Sequence, residues 1–270
     1  MSAVAICTDS SALFPDGVAA RLGVIVVPIP ITLDDSSFDE RDDALDDFYA
    51  RLGAGAKATT SQPSPWAFLA AYRHAAANGA SEVLSVHLDG RVSGTLSSAD
   101  LAAREAPIPV RVVDTGTVSF GVGVCVRAAA EALADGGSAA EAEAAASAAA
   151  ATLGNVFVAH AGPRGRMPKA PAWALLEFVN GRAVPSTAGN GLSEAIEAMA
   201  SRVFHEQGPL RVAVGHAAAS TEPAADALAL SLAAKPHVVD VERYRVGPAV
   251  GAHTGGLSFG AFWWPSRDRD

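Results

Sequence analysis

Short apolar runs bounded by turn residues alternate with helix-period segments through the first half of the chain, and no other feature narrows the fold as far. Residues 3–7, 24–31, 82–87 and 110–114 read as strands. Between them, 41–52 has a helical pattern. The pattern over 65–78 is stronger, since Ser64 can cap it, Pro65 suits its first position and Gly79 ends it. Trp66, Leu69 and Tyr72 are expected on its inner face. Ser93 is expected to cap a helix running to residue 105, and Ser138 with Glu141 forms the Ser-x-x-Glu signature of a capping box ahead of an Ala-rich helix. Strand, helix and strand in this order give βαβ units and a parallel sheet with flanking helices.

The rhythm restarts after Gly154, with strands expected over 155–160, 182–185, 211–216 and 237–244 and helices over 192–206 and 221–233. Fewer helices per strand imply a mixed second sheet. The chain is thus expected to be α/β throughout, in two domains, residues 1–152 and 153–270, with a ligand site at their interface.

Half of the 270 residues are hydrophobic, enough to bury a core without staples. The excess of 29 acidic over 20 basic residues gives a net charge of −9, which repels nucleic acid and anionic membrane, so neither is expected as a partner. Cys7 and Cys125 belong to no Cys-x-x-Cys or Cys/His set and are expected as reduced core residues. The first apolar run is broken at once by Thr8-Asp9, and the Ala-rich stretch is short and carries Glu141 and Glu143. Neither a signal peptide nor a membrane span is expected, and a cytoplasmic location follows.

Three hydroxyl-rich turns carry the functional signal: Thr59-Thr60-Ser61-Gln62-Pro63-Ser64, Ser93-Gly94-Thr95 and His253-Thr254-Gly255-Gly256. The first two open onto expected helix N-termini, where backbone N–H groups and the helix dipole favour an anion. The same residue types also serve as plain N-caps. A carboxylate offers about four acceptor sites and each hydroxyl one proton, so recognition needs donors converging from several loops. In α/β sheets such loops meet at the carboxyl ends of the strands.

Thr8-Asp9-Ser10-Ser11 follows the first strand, Val27-Pro28-Ile29-Pro30-Ile31 continues the second, and Val112-Val113-Asp114-Thr115 precedes a helix start at Ser119-Phe120-Gly121. With the hydroxyl turns, these segments resemble, in order and interval, the DegV family of bacterial fatty-acid-binding proteins over nearly the whole chain. The resemblance implies that Thr60 and Ser93 bind a fatty-acid carboxylate with His253 close by, and Thr59, Ser61 and Thr254 are candidates for the same job. It further implies a long-chain fatty acid as ligand, no cofactor, no chemistry of the chain's own, and presentation of the acid to a separate fatty acid kinase. Family members usually carry Gly-Gly-Arg-Ile where this chain has Arg164-Gly165-Arg166-Met167, and Arg166 matches the family's arginine as a rim or partner contact. They tend to read His-x-Gly-Pro-Gly where this chain has His253-Thr254-Gly255-Gly256-Leu257. An acyl tail would need a dry tunnel, and the apolar segments 27–31, 118–126 and 175–179 could line it or be ordinary core. A tail of about 16 carbons, at roughly 0.8 kcal/mol per CH₂, would gain on the order of 10 kcal/mol.

The alternative is a hydrolase or phosphatase acting on a small acid or phosphate at the same cleft. Against it, Gly90-Arg91-Val92-Ser93-Gly94 has neither glycine at the Gly-x-Ser-x-Gly interval of a nucleophile elbow. Asp9 follows the first strand as an aspartyl-phosphate nucleophile would, but the acid needed two residues later is Ser11. The seven histidines form no His-Glu-x-x-His spacing, so no metal is expected, and His216 reads as a hydrogen-bonded core histidine. Gly121-Val122-Gly123 lacks the third glycine of a dinucleotide fingerprint.

Overall fold

The computed structural model describes residues 3–15, 17–38, 44–159, 173–204, 206 and 208–266. In chain order the strands are β1 Val4–Asp9, β2 Val24–Val27, β3 Ile31–Leu33, β4 Ser36–Phe38, β5 Ala58–Thr60, β6 Glu82–His87, β7 Val110–Asp114, β8 Gly154–Val158, β9 Ala174–Val179, β10 Arg182–Ala188, β11 Leu210–His216, β12 Val238–Arg245 and β13 Phe259–Pro265. The helices are α1 Val18–Arg21, α2 Leu45–Gly53, α3 Pro65–Ala77, α4 Thr95–Ala103, α5 Phe120–Ala134, α6 Ala139–Thr152, α7 Leu192–Phe204, α8 Glu222–Ala233 and α9 Pro248–Thr254. The chain divides into two compact units, one of Met1–Pro30 with Thr60–Ala151, the other of Ile31–Thr59 with Thr152–Asp270.

The first unit is built on a parallel sheet in the order β2-β1-β6-β7. Successive strand residues face opposite sides. Ile6, Leu84 and Val86 therefore join Val122, Cys125 and Val126 of α5 in one core, while Cys7 and Val83 join Phe68, Leu69 and Tyr72 of α3 and Ala99 of α4 in the other. Strands β6 and β7 have the expected limits. The chain steps from β1 outward to β2 and then returns to the far side of β1 as β6, so the direction of winding reverses between β1 and β6. That is where open α/β sheets place a ligand crevice, beyond the carboxyl ends of the strands.

Local signals explain most element ends. The Ser64 hydroxyl accepts from Ala67 N–H at 3.2 Å with Pro65 behind it, which starts α3 as expected. Ser138 N–H and Oγ–H both donate to the Glu141 carboxylate at 2.7 Å, and Glu141 N–H donates back to Ser138 Oγ at 3.3 Å, completing the capping box. Two expectations fail. The N-cap of α4 is Gly94, not Ser93, and Trp66 on α3 is 67% exposed, while Leu69 and Tyr72 are buried as expected, together with Phe68, Ala71 and Ala75. Gly123 is needed because α5 crosses the Ser10–Ala12 turn so closely that a Cβ would stand 2.4 Å from Ala12 O.

The second unit holds a mixed sheet in the order β10-β9-β8-β13-β11-β12, in which β11 and β12 are parallel and the other pairs antiparallel. Helices α7 and α8 cover one core, with Met199, Leu228 and Leu232 against Val212, Val214 and Trp263. A three-stranded sheet β4-β3-β5 accompanies it. The boundary expected after residue 152 falls at Ala151, but Ile31–Thr59 belongs to the second unit, not the first. Pro28 and Pro30, which lack N–H donors, end the expected strand 24–31 at Val27. Beyond them, the Tyr49 hydroxyl donates to Val246 O at 2.6 Å and Arg245 pairs with Asp46 at 2.9 Å, tying α2 to the second unit.

Candidate functional site

The strands β1 and β6 end side by side at the winding reversal, and their last residues are Asp9 and His87. Their side chains lie with Cys7 and Ser85 on the α3 face, wholly buried. His87 Nδ1 is 2.8 Å from Asp9 Oδ2, His87 Nε2 is 2.7 Å from Ser85 Oγ, and Ser85 Oγ is 2.9 Å from the Tyr72 hydroxyl on α3. A carboxylate only accepts, so Nδ1–H donates to Asp9. His87 Nε2 shares the next hydrogen bond with the Ser85 hydroxyl, and Ser85 shares the one after it with Tyr72. Asp9 Oδ1 is taken by Ser11 N–H at 3.1 Å and Ser11 Oγ at 2.5 Å, and the Phe68 ring meets the imidazole edge-on at 4.9 Å. Burial pushes the Cys7 thiol up to about 12 and the Tyr72 phenol above its ordinary range, so both stay protonated.

The first two hydroxyl turns are linked to the end of β1. Ser10 Oγ accepts from Ile29 N–H at 3.0 Å, and Pro30 O accepts from Ser61 N–H at 3.1 Å. The Gln62 side chain lies against Gly94 so closely that a Cβ there would stand 2.8 Å from the amide carbon. Thr95 N–H donates to Ser93 Oγ at 3.2 Å, and the two hydroxyls are 2.8 Å apart. Contacts thus run without a break from the end of β1, through the segment after β2 and the turn before α3, to the turn before α4. If Thr95 also gives its hydroxyl proton to Ser93, the Ser93 proton is left for an anion. Buried Asp89 stiffens the approach to Ser93 by accepting from Arg91 N–H and Nε–H at 2.8 Å, while the Asp114 carboxylate takes Gly90 N–H at 3.3 Å.

Among the residues singled out from sequence, Thr60, Ser61 and Ser93 belong to the first unit. Thr60 and Ser93 are half-buried and Ser61 is exposed. Thr59 is exposed and, as the neighbour of Thr60 in β5, points to the opposite side of the strand. His253 and Thr254 form the last turn of α9 in the second unit, where Thr254 Oγ1 lies 3.0 Å from Ser258 Oγ. Arg166 lies outside the described residues. Val27, Val122, Val126 and Leu175, from the segments considered as tunnel walls, pack in the cores. Leu175 also lines a cleft of about 380 Å³ in the second unit, with Val156, Ala198, Ser186, Ser201 and Arg202. Among the described residues, no helix is long and apolar enough to cross a membrane, and no group of three or more His, Cys, Asp or Glu could hold a metal ion. Cys7 and Cys125 are free and buried, as expected, and buried His216 accepts a hydrogen bond from Arg243.

Residues 3–164 match the family described as "Uncharacterised protein, DegV family". The chain belongs to the DegV family. A DegV domain-containing protein of Streptomyces coelicolor is 36% identical over 268 residues, which cover 93% of this chain and 95% of that one. The fatty-acid-binding DegV family protein from Thermus thermophilus matches at a TM-score of 0.88 and 29% identity, over 98% of this chain and all of its own. DegV of Bacillus subtilis, a fatty acid binding protein, matches at a TM-score of 0.86 and 25% identity, over 98% of this chain and all of its own. Sequence reasoning on this DegV chain gives Ser85 and His87 no part in the site and Tyr72 only a place in the core. Their signal is the period of two, since Cys7-x-Asp9 and Ser85-x-His87 put four polar or soft side chains on one face of adjacent strands.

Proposed function

We propose that this DegV protein holds a long-chain fatty acid in the cytoplasm, without a cofactor and without chemistry of its own, and presents the carboxylate to a separate fatty acid kinase. The observation that carries the reading is the run of contacts from Ser10 through Ile29, Pro30, Ser61 and Gln62 to Gly94 and Ser93, at the crevice where the winding reverses. In this reading Thr60 and Ser93 supply the first protons to the carboxylate. His253 and Thr254 are further donor candidates, Thr59 and Ser61 the reserve ones, and Arg166 contacts the kinase. The fatty-acid binding of the Thermus and Bacillus proteins supports the ligand class. Native mass spectrometry of the purified protein tests it, with a fatty-acid mass adduct expected and acids binding more tightly than their methyl esters. A chain that carries no adduct and binds no fatty acid in titration would retire the reading.

One observation favours a second reading. The hydrogen bonds joining Ser85, His87 and Asp9 follow the order of nucleophile, base and orienting acid, as in a hydrolase. The complete burial of Ser85 and its bond to Tyr72 weigh against it. Hydrolysis of acyl or phosphate esters by the purified chain, lost in Ser85→Ala, would establish the enzyme.

A further inference from the structure

The chain Tyr72, Ser85, His87 and Asp9 is a costly thing to bury. Four polar side chains sit in a sheet face otherwise covered by Phe68, Leu69, Val83 and Ala99, and such a network is tolerated only when every member is satisfied. Its members come from the three elements that lead into the hydroxyl turns. Asp9 ends β1 just before Ser10, and His87 ends β6 six residues before Ser93. Tyr72 lies on α3, whose first turn follows directly on Thr60, Ser61 and Ser64. His87 O also accepts from Thr115 N–H at 3.1 Å and Thr115 Oγ1 at 2.8 Å, which brings the end of β7 into the same assembly.

We propose that the buried hydrogen-bond chain Tyr72–Ser85–His87–Asp9 is a positioning device for head-group recognition, holding α3 against the ends of β1 and β6 so that the turns before α3 and α4 converge on one anion. None of the four touches the ligand. The proposal rests on the fatty-acid reading above, and its mark is selectivity: loosening the chain weakens recognition of the carboxylate and leaves the acyl contribution alone.

Tyr72→Phe and Ser85→Ala each delete one hydroxyl from the buried chain. Each is measured for binding of palmitate and methyl palmitate by titration, and for amide exchange without ligand. The acid-to-ester affinity ratio is expected to fall about three- to tenfold in each variant, the size of one lost hydrogen bond, with ester affinity unchanged. Exchange at Ser61 and Thr95, whose amides bond to Pro30 O and Ser93 Oγ, is expected to quicken relative to Val86 in the sheet. A merely structural role would lower acid and ester binding together and quicken all three amides alike. An unchanged ratio, or unchanged exchange at Ser61 and Thr95, overturns the proposal. If the wild type binds neither ligand, the fatty-acid reading falls, and the exchange result alone decides whether the chain positions the turns.

Discussion

His87 and His216 each end a strand in the interior of a sheet, each is buried, and each makes a hydrogen bond through Nδ1. Their surroundings are opposite. His87 in the first unit faces the Asp9 carboxylate and must donate, whereas His216 in the second faces the guanidinium of Arg243 and must accept. Burial, then Arg243 and Arg245, hold the His216 pKa below its ordinary value. The wider pattern agrees. Among the described residues, the first unit buries eleven polar or charged residues and the second three. Since each buried polar group must find a partner, the first unit carries the denser buried hydrogen-bond network. The second unit is built on an apolar core of Met199, Leu228, Leu232 and Trp263.

The sharpest way to break this contrast is to delete each ring. His87→Ala takes the Nδ1–H donor from the buried Asp9 carboxylate, which keeps its Ser11 bonds, and is expected to cost about 3 kcal/mol in urea unfolding. His216→Ala leaves Arg243 still bonded to Asp226 and Val214 O, and is expected to cost no more than about 1.5 kcal/mol. Equal losses would show that the two histidines do the same job. Next in size, Ser93→Ala and Thr60→Val are each expected to weaken fatty-acid binding by roughly 1.5–3 kcal/mol while leaving the unfolding midpoint in place. Unaltered affinity in both would remove these turns from the site.

The pH dependence sharpens the second half of the comparison. Because the His216 pKa is lower folded than unfolded, the folded state binds fewer protons. Its contribution is complete above the unfolded value of 6.5 and is lost as pH falls from there towards the folded value. Urea midpoints measured at descending pH across this window should drop in the wild type and drop less in His216→Gln, which can still accept from Arg243. The smallest effect is expected at a cap that serves neither purpose. Ser64→Ala should cost about 1 kcal/mol of stability, and a larger loss of fatty-acid affinity than of stability would give Ser64 a place in the site.

Much of the fold was legible where local signals decide it. Ser64-Pro65 and Ser138-x-x-Glu141 start helices by their own chemistry, and the runs 82–87 and 110–114 are bounded by turn residues on both sides. Elsewhere partners decide, and the sequence is mute about them. Residues 24–31 look like one apolar run, yet Pro28 and Pro30 split it between two sheets. The strand Phe259–Pro265 is found only through its neighbours β8 and β11. The hydroxyl turns stand out because Ser, Thr, Gly and Pro cluster in them. The floor beneath them does not, since His87 and Asp9 are 78 positions apart and only the register of β1 on β6 brings them together.

The excursion of Ile31–Thr59 into the second unit sets a timetable for synthesis. A ribosome that has released Ala151 has supplied everything the first unit needs, but the partners of α2, such as Val246, are still to be made. At about 5–20 residues per second the wait lasts on the order of ten seconds. For that interval Ile31, Leu33, Phe48 and Tyr49, all buried in the finished protein, wait without the later part of the unit they belong to. A gene cut at the boundary would make the wait permanent.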